Sequence, residues 1–257
     1  MKDWKDIAFL DQIHTGADIA LNAEILFGNL QVAGMPFYPL FKECIAETGT
    51  GVGSWKVFRR AQRAFVLARY IEHAHGLGAP RVECGVFQGF SALLACKVSR
   101  ALSPGYDGSD FFLVDSYEGL SDPGDEDKIE VPGSGGGTDR IASHPGRHFA
   151  VDLPTVAARF RAFPKVTFAK GWIPPVLTAL PDTRWSFVHI DVDLYEPTLA
   201  CLDYFFDRLV PGGVILNDDF SSPLFPGGGK AWTDFFSKRG LAYVVLDTGQ
   251  SVYLKQR

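Results

Sequence analysis

Strand-like and helix-like segments alternate along this 257-residue chain from about residue 80 to residue 240. Apolar runs such as "FFLVD" and "FVHID" have the length of strands and the near-continuous apolar character of strands that are covered on both faces. A segment with helical spacing of apolar residues follows most of these runs. Strands separated by helices of this length predict a doubly wound, mostly parallel α/β sheet with right-handed crossovers.

The two ends of the chain depart from this alternation. The C-terminal stretch "LAYVVLDTGQSVYLKQR" has two strand patterns around the turn "TGQS", which predicts an antiparallel hairpin that closes the sheet. Residues 1–54 mix helical patterns with turn formers, and residues 55–78 have the apolar spacing of one long helix. We therefore expect an N-terminal helical or lid segment at 1–54 and the main domain at 55–257.

Residues 130–148 form the most biased segment, "EVPGSGGGTDRIASHPGRH". It is too rich in glycine to pack and too long for a passive connection, and loops of this kind are often lids over a site. A disordered insertion is the alternative.

Composition and charge restrict the class of protein. A net charge of −5 and a pI near 5.7 disfavour a general binder of nucleic acid or of anionic membranes. No apolar run approaches the roughly 18 residues of a membrane span, and the N-terminus lacks a signal-peptide core. The four cysteines have no CxxC spacing and are expected to be buried thiols. These features predict a cytoplasmic protein.

A glycine turn follows the first predicted strand in "VECGVFQGFSA". Glu83 ends the strand, and Gly85 and Gly89 lie in the turn to a helix, where missing side chains let a ligand approach the backbone. Phe87 and Phe90 occupy two positions where a dinucleotide GxGxxG motif needs glycine. The pattern is more similar to the S-adenosylmethionine turn of class I methyltransferases, with a glycine turn made for tight packing as the alternative.

The next strand ends at Asp115 in "FFLVDSYEGL". A doubly wound nucleoside-binding fold has an acid at this point that bonds ribose hydroxyls. The two features together predict a nucleoside at the carboxyl edge of the sheet. The alternative is a capping or solvated Asp115.

Two further strands end in pairs of acids. Asp191 and Asp193 follow one strand, and Asp218 and Asp219 follow the next. If the strands are neighbours, these carboxylates converge, raise one another's pKa values, and favour a divalent cation such as Mg²⁺, Ca²⁺ or Mn²⁺. Asp193 could orient rather than bind, and helix capping is the alternative for "NDD".

His189 lies on the same strand face as Asp191 and could contact a cofactor. A core histidine that is satisfied by its neighbours is the more ordinary interpretation.

The chain resembles the TylF/MycF/NovP family of metal-dependent O-methyltransferases, the relatives of macrocin O-methyltransferase. The resemblance rests on "VECGVFQGFSA", "DSYEGL", "AKGWIPPVL", "VHIDVDLYEPT" and "LVPGGVILNDDF", in this order from about residue 60 to the C-terminus. The first 55 residues match poorly. The resemblance implies a class I, Rossmann-like fold with a seven-stranded sheet that binds S-adenosylmethionine and Mg²⁺.

The same resemblance implies roles for individual residues. The implied metal ligands are Asp191, Asp218 and Asp219, and Asp191 is also the candidate catalytic base. The implied cofactor-binding residues are Glu83, Gly85, Gln88, Gly89, Ser91, Asp115, Ser116, Trp172 and Asp191. Related catechol enzymes have a lysine three residues after the first metal ligand, but Leu194 stands there in this chain. A residue of the glycine-rich loop, His144, is therefore the alternative base.

The implied acceptor is a small-molecule glycoside or sugar with neighbouring hydroxyls, and assembly into a homo-oligomer is left open. The alternatives are a catechol-type methyltransferase of small phenols and a non-catalytic protein that binds a nucleoside or sugar on the same fold. A dehydrogenase that uses NAD fits less well, because the glycine spacing is wrong for it.

Overall fold

The computed structural model describes residues 23–50, 54–132, 137–142 and 148–256. The first described part contains two short paired strands, β1 (Gln31–Val32) and β2 (Met35–Pro36), and then α1 (Phe37–Thr48). The long helix α2 spans Ser54–His75, close to the predicted residues 55–78.

Strands and helices then alternate, and each span below is given in chain order. The elements are β3 (Arg81–Cys84), α3 (Phe90–Leu102), β4 (Phe111–Asp115), β5 (Lys128–Pro132), β6 (Thr138–Ala142), α4 (Leu153–Arg159), β7 (Thr167–Lys170), β8 (Trp185–Ile190), α5 (Tyr195–Phe205), β9 (Leu209–Asn217), α6 (Pro226–Arg239), β10 (Val244–Val245) and β11 (Ser251–Leu254). Short 3₁₀ helices occur at Asp125–Asp127 and Pro175–Ala179.

Seven of these strands form one sheet in the order β10-β11-β9-β8-β3-β4-β7. The pairs from β9 to β7 are parallel, and β11 pairs antiparallel with both β9 and β10. The mostly parallel sheet and the closing C-terminal hairpin are therefore confirmed. Because β3, β4, β8 and β9 are parallel, their carboxyl ends meet at one edge of the sheet. The chain crosses to both sides of β3, which is the point where such sheets bind ligands.

Apolar side chains cover both faces of the sheet, as the uninterrupted apolar strands require. One core contains residues of α1, α2 and α3, with Phe187 of β8 on the same side. The other core lies under α5 and α6 and receives Val188 and Ile190 of β8. Since residues alternate between faces along a strand, His189 points to the same side as Phe187 and α2.

The glycine-rich segment differs from the expectation of an irregular loop. β5 and β6 pair antiparallel from Lys128↔Ala142 to Pro132↔Thr138, so its flanks form an exposed hairpin. The glycines of the sequence fall mainly between the two strands, where a hairpin needs a turn. Asp127, at the base of the hairpin, accepts a hydrogen bond from Tyr195 N (2.7 Å) and so ties it to the start of α5. Residues 133–136 and 143–147 lie outside the described part, and the lid role stays a prediction.

All four cysteines are buried and free, as expected. Within the described ranges, no helix is both long enough and apolar enough to cross a membrane.

Candidate active site

A cavity of about 670 Å³ lies at the carboxyl edge of the sheet. It is lined by α2, by the turn after β3 and by the segments that follow β4, β7, β8 and β9. Open α/β sheets bind ligands at this edge, and the volume is typical of small-molecule sites. Most of the residues predicted from the sequence line it: Gly85, Gln88, Ser91, Asp115, Ser116, Trp172, Asp191, Asp218 and Asp219.

The two glycines of the first turn have different roles. Gly85 has φ +86°, and a Cβ atom there would lie 1.8 Å from the Asp191 carbonyl oxygen, so only glycine lets β3 and β8 remain adjacent as the turn begins. Gly89 has φ +80° and begins α3; a Cβ atom there would lie 2.9 Å from the Phe160 ring. Gly89 is absent from the cavity wall, so its contacts are those of the packing alternative.

Asp115 holds the glycine turn against the end of β4. One carboxylate oxygen accepts hydrogen bonds from the backbone N–H groups of Val86 (2.6 Å) and Phe87 (3.0 Å). The other oxygen accepts from Tyr117 N at 2.6 Å. Phe87 and Tyr117 both have positive φ, which is a strained conformation for these residues. A carboxylate still has lone pairs for further donors, so the predicted contact with a ribose stays open.

Glu83 lies directly beneath the cavity and is fully buried. Ser91 Oγ donates a hydrogen bond to its Oε1 at 2.9 Å, and His189 Nδ1 lies 3.0 Å from its Oε2. Glu83 therefore joins the glycine turn to β8 and is not itself part of the cavity wall.

The other predicted cofactor residues surround the same turn. Thr50 Oγ1 donates to the Gln88 side-chain oxygen at 3.3 Å, and Ser116 Oγ donates to the Gly119 carbonyl oxygen at 2.9 Å. Trp172 follows β7 and is 39% exposed at the cavity mouth. An exposed indole at the mouth of a cavity offers a flat apolar surface to a ligand.

The paired acids converge because β8 and β9 are parallel neighbours. Ile190 pairs with Asn217, and the Asp218 N–H donates to the Ile190 carbonyl oxygen at 2.9 Å. Asp191 and Asp218 thus leave the sheet side by side. One ligand atom from each of them and one from His189 all lie within 4.8 Å of one another.

Asp219 and Asp193 form a second contact just outside that group. Asp219 Oδ2 accepts a hydrogen bond from Asp193 N at 2.9 Å, and Asp193 has φ +61°. Gly228 N at the start of α6 donates to the Asp193 carbonyl oxygen at 3.0 Å. A Cβ atom at Gly228 would lie 2.9 Å from Asp219 Cβ, so the glycines that begin α6 allow the helix to approach the acids closely.

Positive charge reaches the acids from α2. The Arg63 guanidinium contacts both the carboxylate and the carbonyl oxygen of Asp218. Arg60, three residues earlier and so on the same helix face, also lines the cavity. Gln250, in the terminal hairpin, donates from Nε2 to Asp218 Oδ1 at 2.5 Å.

Sequence reasoning did not identify these three residues. The i, i+3 spacing of two arginines within the apolar helix pattern is a signal that could have indicated the first pair. No local signal marks Gln250.

The acids outnumber the cations that contact them, and their ionisation reflects this imbalance. Burial, together with the neighbouring carboxylates, raises the pKa values of Asp191 and Asp193 well above their usual range. Burial and the charge of Asp218 raise the pKa of Asp219 to about 6. Although burial opposes it, Arg63 with His189 and Gln250 lowers the pKa of Asp218. A cation bound here would offset the remaining excess of negative charge.

His189 is enclosed between two carboxylates. Burial alone would lower the pKa of its imidazole, but Asp218 and Glu83 more than offset this effect and raise the pKa well above its usual value. His189 is thus a buried histidine with an acid partner, and it also lines the cavity.

Aromatic side chains form part of the cavity wall away from the acids. The rings of Phe87 and Phe149 meet edge to face with centroids 5.2 Å apart, and Phe149 lies 6.2 Å from Phe225. Phe149 has φ +69° and is a third strained aromatic residue at this site, after Phe87 and Tyr117. Such a wall can contact the apolar body of a ligand.

Of the two candidate bases, only Asp191 lies among the residues that the structure describes. Asp191 lies in the cavity wall beside Asp218, whereas His144 lies outside the described residues. Leu194, which replaces the lysine of catechol enzymes, is 4% exposed and forms the start of α5.

Comparisons with known proteins found a matching family, similar sequences and a similar fold. Residues 66–255 match the sequence model of the family described as macrocin-O-methyltransferase (TylF). One curated relative is the 8-demethyl-8-(2,3-dimethoxy-alpha-L-rhamnosyl)-tetracenomycin-C 4'-O-methyltransferase of Streptomyces olivaceus. It is 31% identical over 153 residues, which span 58% of this chain and 55% of that protein. The mycinamicin III 3''-O-methyltransferase of Micromonospora griseorubida is 29% identical over 203 residues, or 74% of each chain.

A solved structure with the same fold is that of CalS11, a calicheamicin methyltransferase. It superposes with a TM-score of 0.63 at 16% identity and covers 84% of this chain and 91% of that chain. The likeness shows that the sheet described above is that of a class I methyltransferase fold.

Proposed function

This chain belongs to the macrocin-O-methyltransferase (TylF) family, and from that premise we propose that it is an S-adenosylmethionine-dependent O-methyltransferase of a sugar hydroxyl. The observation that carries the proposal is the convergence of Asp191 and Asp218 in a cavity that also contains the glycine turn of β3. The paired acids suit a reaction at a hydroxyl group, and the glycine turn suits the binding of a nucleoside.

The residues around the turn fit the donor. S-adenosylmethionine supplies the methyl group from a sulfonium, which is already activated for transfer. Gly85 keeps the turn open to the cavity, Asp115 fixes it and offers a carboxylate to ribose hydroxyls, and Trp172 offers its ring at the mouth. Gln88, Ser91 and Ser116 line the same wall.

The acid cluster fits a divalent cation, because Asp219 is buried, Asp191 and Asp218 are half-buried, and too little positive charge surrounds them. Such an ion, if bound, would lower the pKa of an acceptor hydroxyl and orient it. Asp191, Asp218 and Asp219 are the proposed ligands, and neighbouring hydroxyls of a sugar would both reach such an ion. Hard oxygen ligands are the ones Mg²⁺ prefers.

Asp191 is the proposed base. It lies on the cavity wall where an acceptor hydroxyl would meet the donor, so a carboxylate oxygen that the cation leaves free can accept the hydroxyl proton. The hydroxyl oxygen forms the new bond to the methyl carbon as the sulfur–methyl bond of the donor breaks. The sulfur keeps that electron pair, so S-adenosylhomocysteine leaves as a neutral thioether, and the hydroxyl proton moves to Asp191. Positioning of the oxygen accounts for most of the remaining rate.

The acceptor we propose is a sugar that carries a larger apolar body. One curated relative is named for a rhamnosyl tetracenomycin, and the other is named for mycinamicin III. The aromatic wall of Phe87, Phe149 and Phe225 supplies an apolar surface beside the acids for such a body. Hydroxyl groups would then be directed to the acids and apolar surface to the rings.

Calorimetric titration tests the proposal. S-adenosylmethionine and, separately, Mg²⁺ are titrated into the wild type and into Asp218→Asn/Asp219→Asn. We expect both proteins to bind the donor and only the wild type to bind Mg²⁺. Asp234→Asn is the matched control, because Asp234 is an exposed aspartate outside the cavity that pairs with Lys230. It should bind both ligands normally.

Methyl transfer to rhamnosides with free neighbouring hydroxyls, compared with singly blocked rhamnosides and with catechol, then tests the acceptor class. Failure of the wild type to bind the donor would overturn the methyltransferase assignment. Transfer to catechol alone would favour the small-phenol alternative.

A further inference from the structure

His189 has one buried nitrogen that faces the acid cluster without a hydrogen-bond partner. The side chain is 2% exposed and lines the cavity. Its Nε2 atom has no hydrogen-bond partner among the described residues, and it lies 3.5 Å from Asp218 Oδ1. Buried polar atoms in folded proteins are nearly always paired, so an unpaired one needs an explanation, such as an ion that completes its bonding.

The other nitrogen of the ring is already held. Nδ1 lies 3.0 Å from Glu83 Oε2, and Glu83 is fully buried and fixed in turn by Ser91. A histidine that binds a metal almost always donates its second N–H to a carboxylate or carbonyl, which sets the tautomer and the ring orientation. A bound cation would displace the Nε2 proton that the neighbouring acids otherwise hold on the ring. With the Nδ1–H donated to Glu83, the Nε2 lone pair would then point into the acid cluster.

We propose that His189 Nε2 binds the divalent cation directly, together with Asp191 and Asp218, and that Glu83 supports the imidazole from behind. The ligand atoms of these three residues lie within 4.8 Å of one another, close to the span that one ion bridges at bond lengths of about 2.0–2.2 Å. The inference rests on the cation of the proposed function and adds a nitrogen ligand to it. The ligand set implied by the family resemblance contains only oxygen.

Asp219 lies beside this compact group of three ligand atoms. Asp219 already accepts the N–H of Asp193 through Oδ2, and it is not part of the compact group. An imidazole added to the carboxylates changes the metal that the site prefers, because imidazole nitrogen suits first-row transition metals better than it suits Mg²⁺. We therefore expect wild-type protein to bind Mn²⁺ more tightly than Mg²⁺.

Pulsed electron paramagnetic resonance of the full chain with Mn²⁺ tests the proposal without relying on activity. Protein labelled with ¹⁵N at histidine should show the nitrogen coupling of a bound imidazole. His189→Gln should lose this coupling and bring the Mn²⁺ and Mg²⁺ affinities closer together in calorimetry. His75→Gln is the matched control, since His75 bonds Ser103 Oγ at 2.9 Å, away from the cavity, and it should keep the coupling.

A second variant tests the supporting role of Glu83. Glu83→Gln can still accept the Nδ1–H, so it should keep the imidazole coupling while the Mn²⁺ affinity falls about 10–100-fold. An unchanged affinity would contradict the supporting role.

Two different failures are distinguishable in the wild type alone. If no divalent cation binds, the cation of the proposed function fails, and this inference fails with it. If Mn²⁺ binds but no imidazole nitrogen couples to it, only this inference is overturned, and His189 is then a core residue that bridges Glu83 and Asp218. This measurement decides the question even if His189→Gln does not fold.

Discussion

Two polar clusters lie at opposite edges of the same sheet, and they are built differently. At the amino edge, Arg81 is 2% exposed and its guanidinium pairs with both carboxylate oxygens of Asp110 at 2.7 Å. The same guanidinium contacts Ser99 Oγ and lies 5.1 Å from the centre of the Tyr106 ring. At the carboxyl edge, four aspartates crowd together, and Arg63 pairs with only Asp218.

The difference separates a structural cluster from a functional one. The Arg81 cluster has one cation for one acid, and Arg81 does not line the cavity. The aspartate cluster lines the cavity and carries more negative charge than its own residues offset. Excess negative charge that faces a cavity is costly for folding, and it is typical of a site that binds a cation.

The largest expected effect comes from removing one charge of the functional cluster. Asp191→Asn should lower the rate of methyl transfer about a thousandfold or more, because it removes the proposed base and a metal ligand. The same change should raise the melting temperature of the metal-free protein at pH 7.5 by about 2–4 °C, since it removes a buried charge with a raised pKa.

Initial rates and calorimetric melting of one preparation check the expected fall in transfer rate and the expected rise in melting temperature. A fall in the metal-free melting temperature would show that Asp191 is structural in the way that Arg81 is.

At the amino edge of the sheet, the corresponding substitution removes a cation instead of an acid. Arg81→Met leaves Asp110 without its partner and should cost about 2–3 kcal/mol of unfolding free energy. The cost is below that of a fully buried pair, because the Asp110 side chain is 37% exposed and regains water. Urea unfolding measures this cost, and the donor affinity of the folded fraction should not change. A loss of donor affinity larger than the loss of folded protein would contradict the purely structural role.

The smallest expected effect is a pH dependence of stability that comes from the aspartate cluster and not from the Arg81 cluster. Asp219 has a pKa of about 6 in the folded protein and an ordinary value of 3.8, so the folded state holds its proton more tightly than the unfolded state. Stability of the metal-free protein therefore falls as the pH rises from about 4 to about 6, by about 1–3 kcal/mol from this group. A bound cation removes this penalty, because it offsets the charge.

The measurement is the gain in melting temperature on addition of Mg²⁺ or Mn²⁺ at a series of pH values. The rise in melting temperature caused by the cation should become larger as the pH increases through about 6. In Asp219→Asn this increase with pH should be smaller. A gain that narrows with rising pH would disprove the link between the cation and these acids.

The amino-acid sequence alone determined the layout of the sheet and the positions of the acids. Strand spacing and apolar runs predict a parallel sheet, and parallel neighbours place their carboxyl ends together, so the meeting of Asp191 with Asp218 follows from the pattern. The closing hairpin around "TGQS" follows from local turn chemistry in the same way. These features depend on periodicity and on residues that are close in sequence.

Only the tertiary structure decided which distant side chains complete the site. Arg63 and Asp218 are 155 residues apart, and their contact depends on how α2 is rotated against the sheet by its apolar packing. Gln250 reaches the same aspartate because β11 pairs beside β9. His189 is turned from an apparent core residue into a candidate ligand by its exact distances to Glu83 and Asp218. Such contacts are set by packing across the whole fold, and no local pattern encodes them.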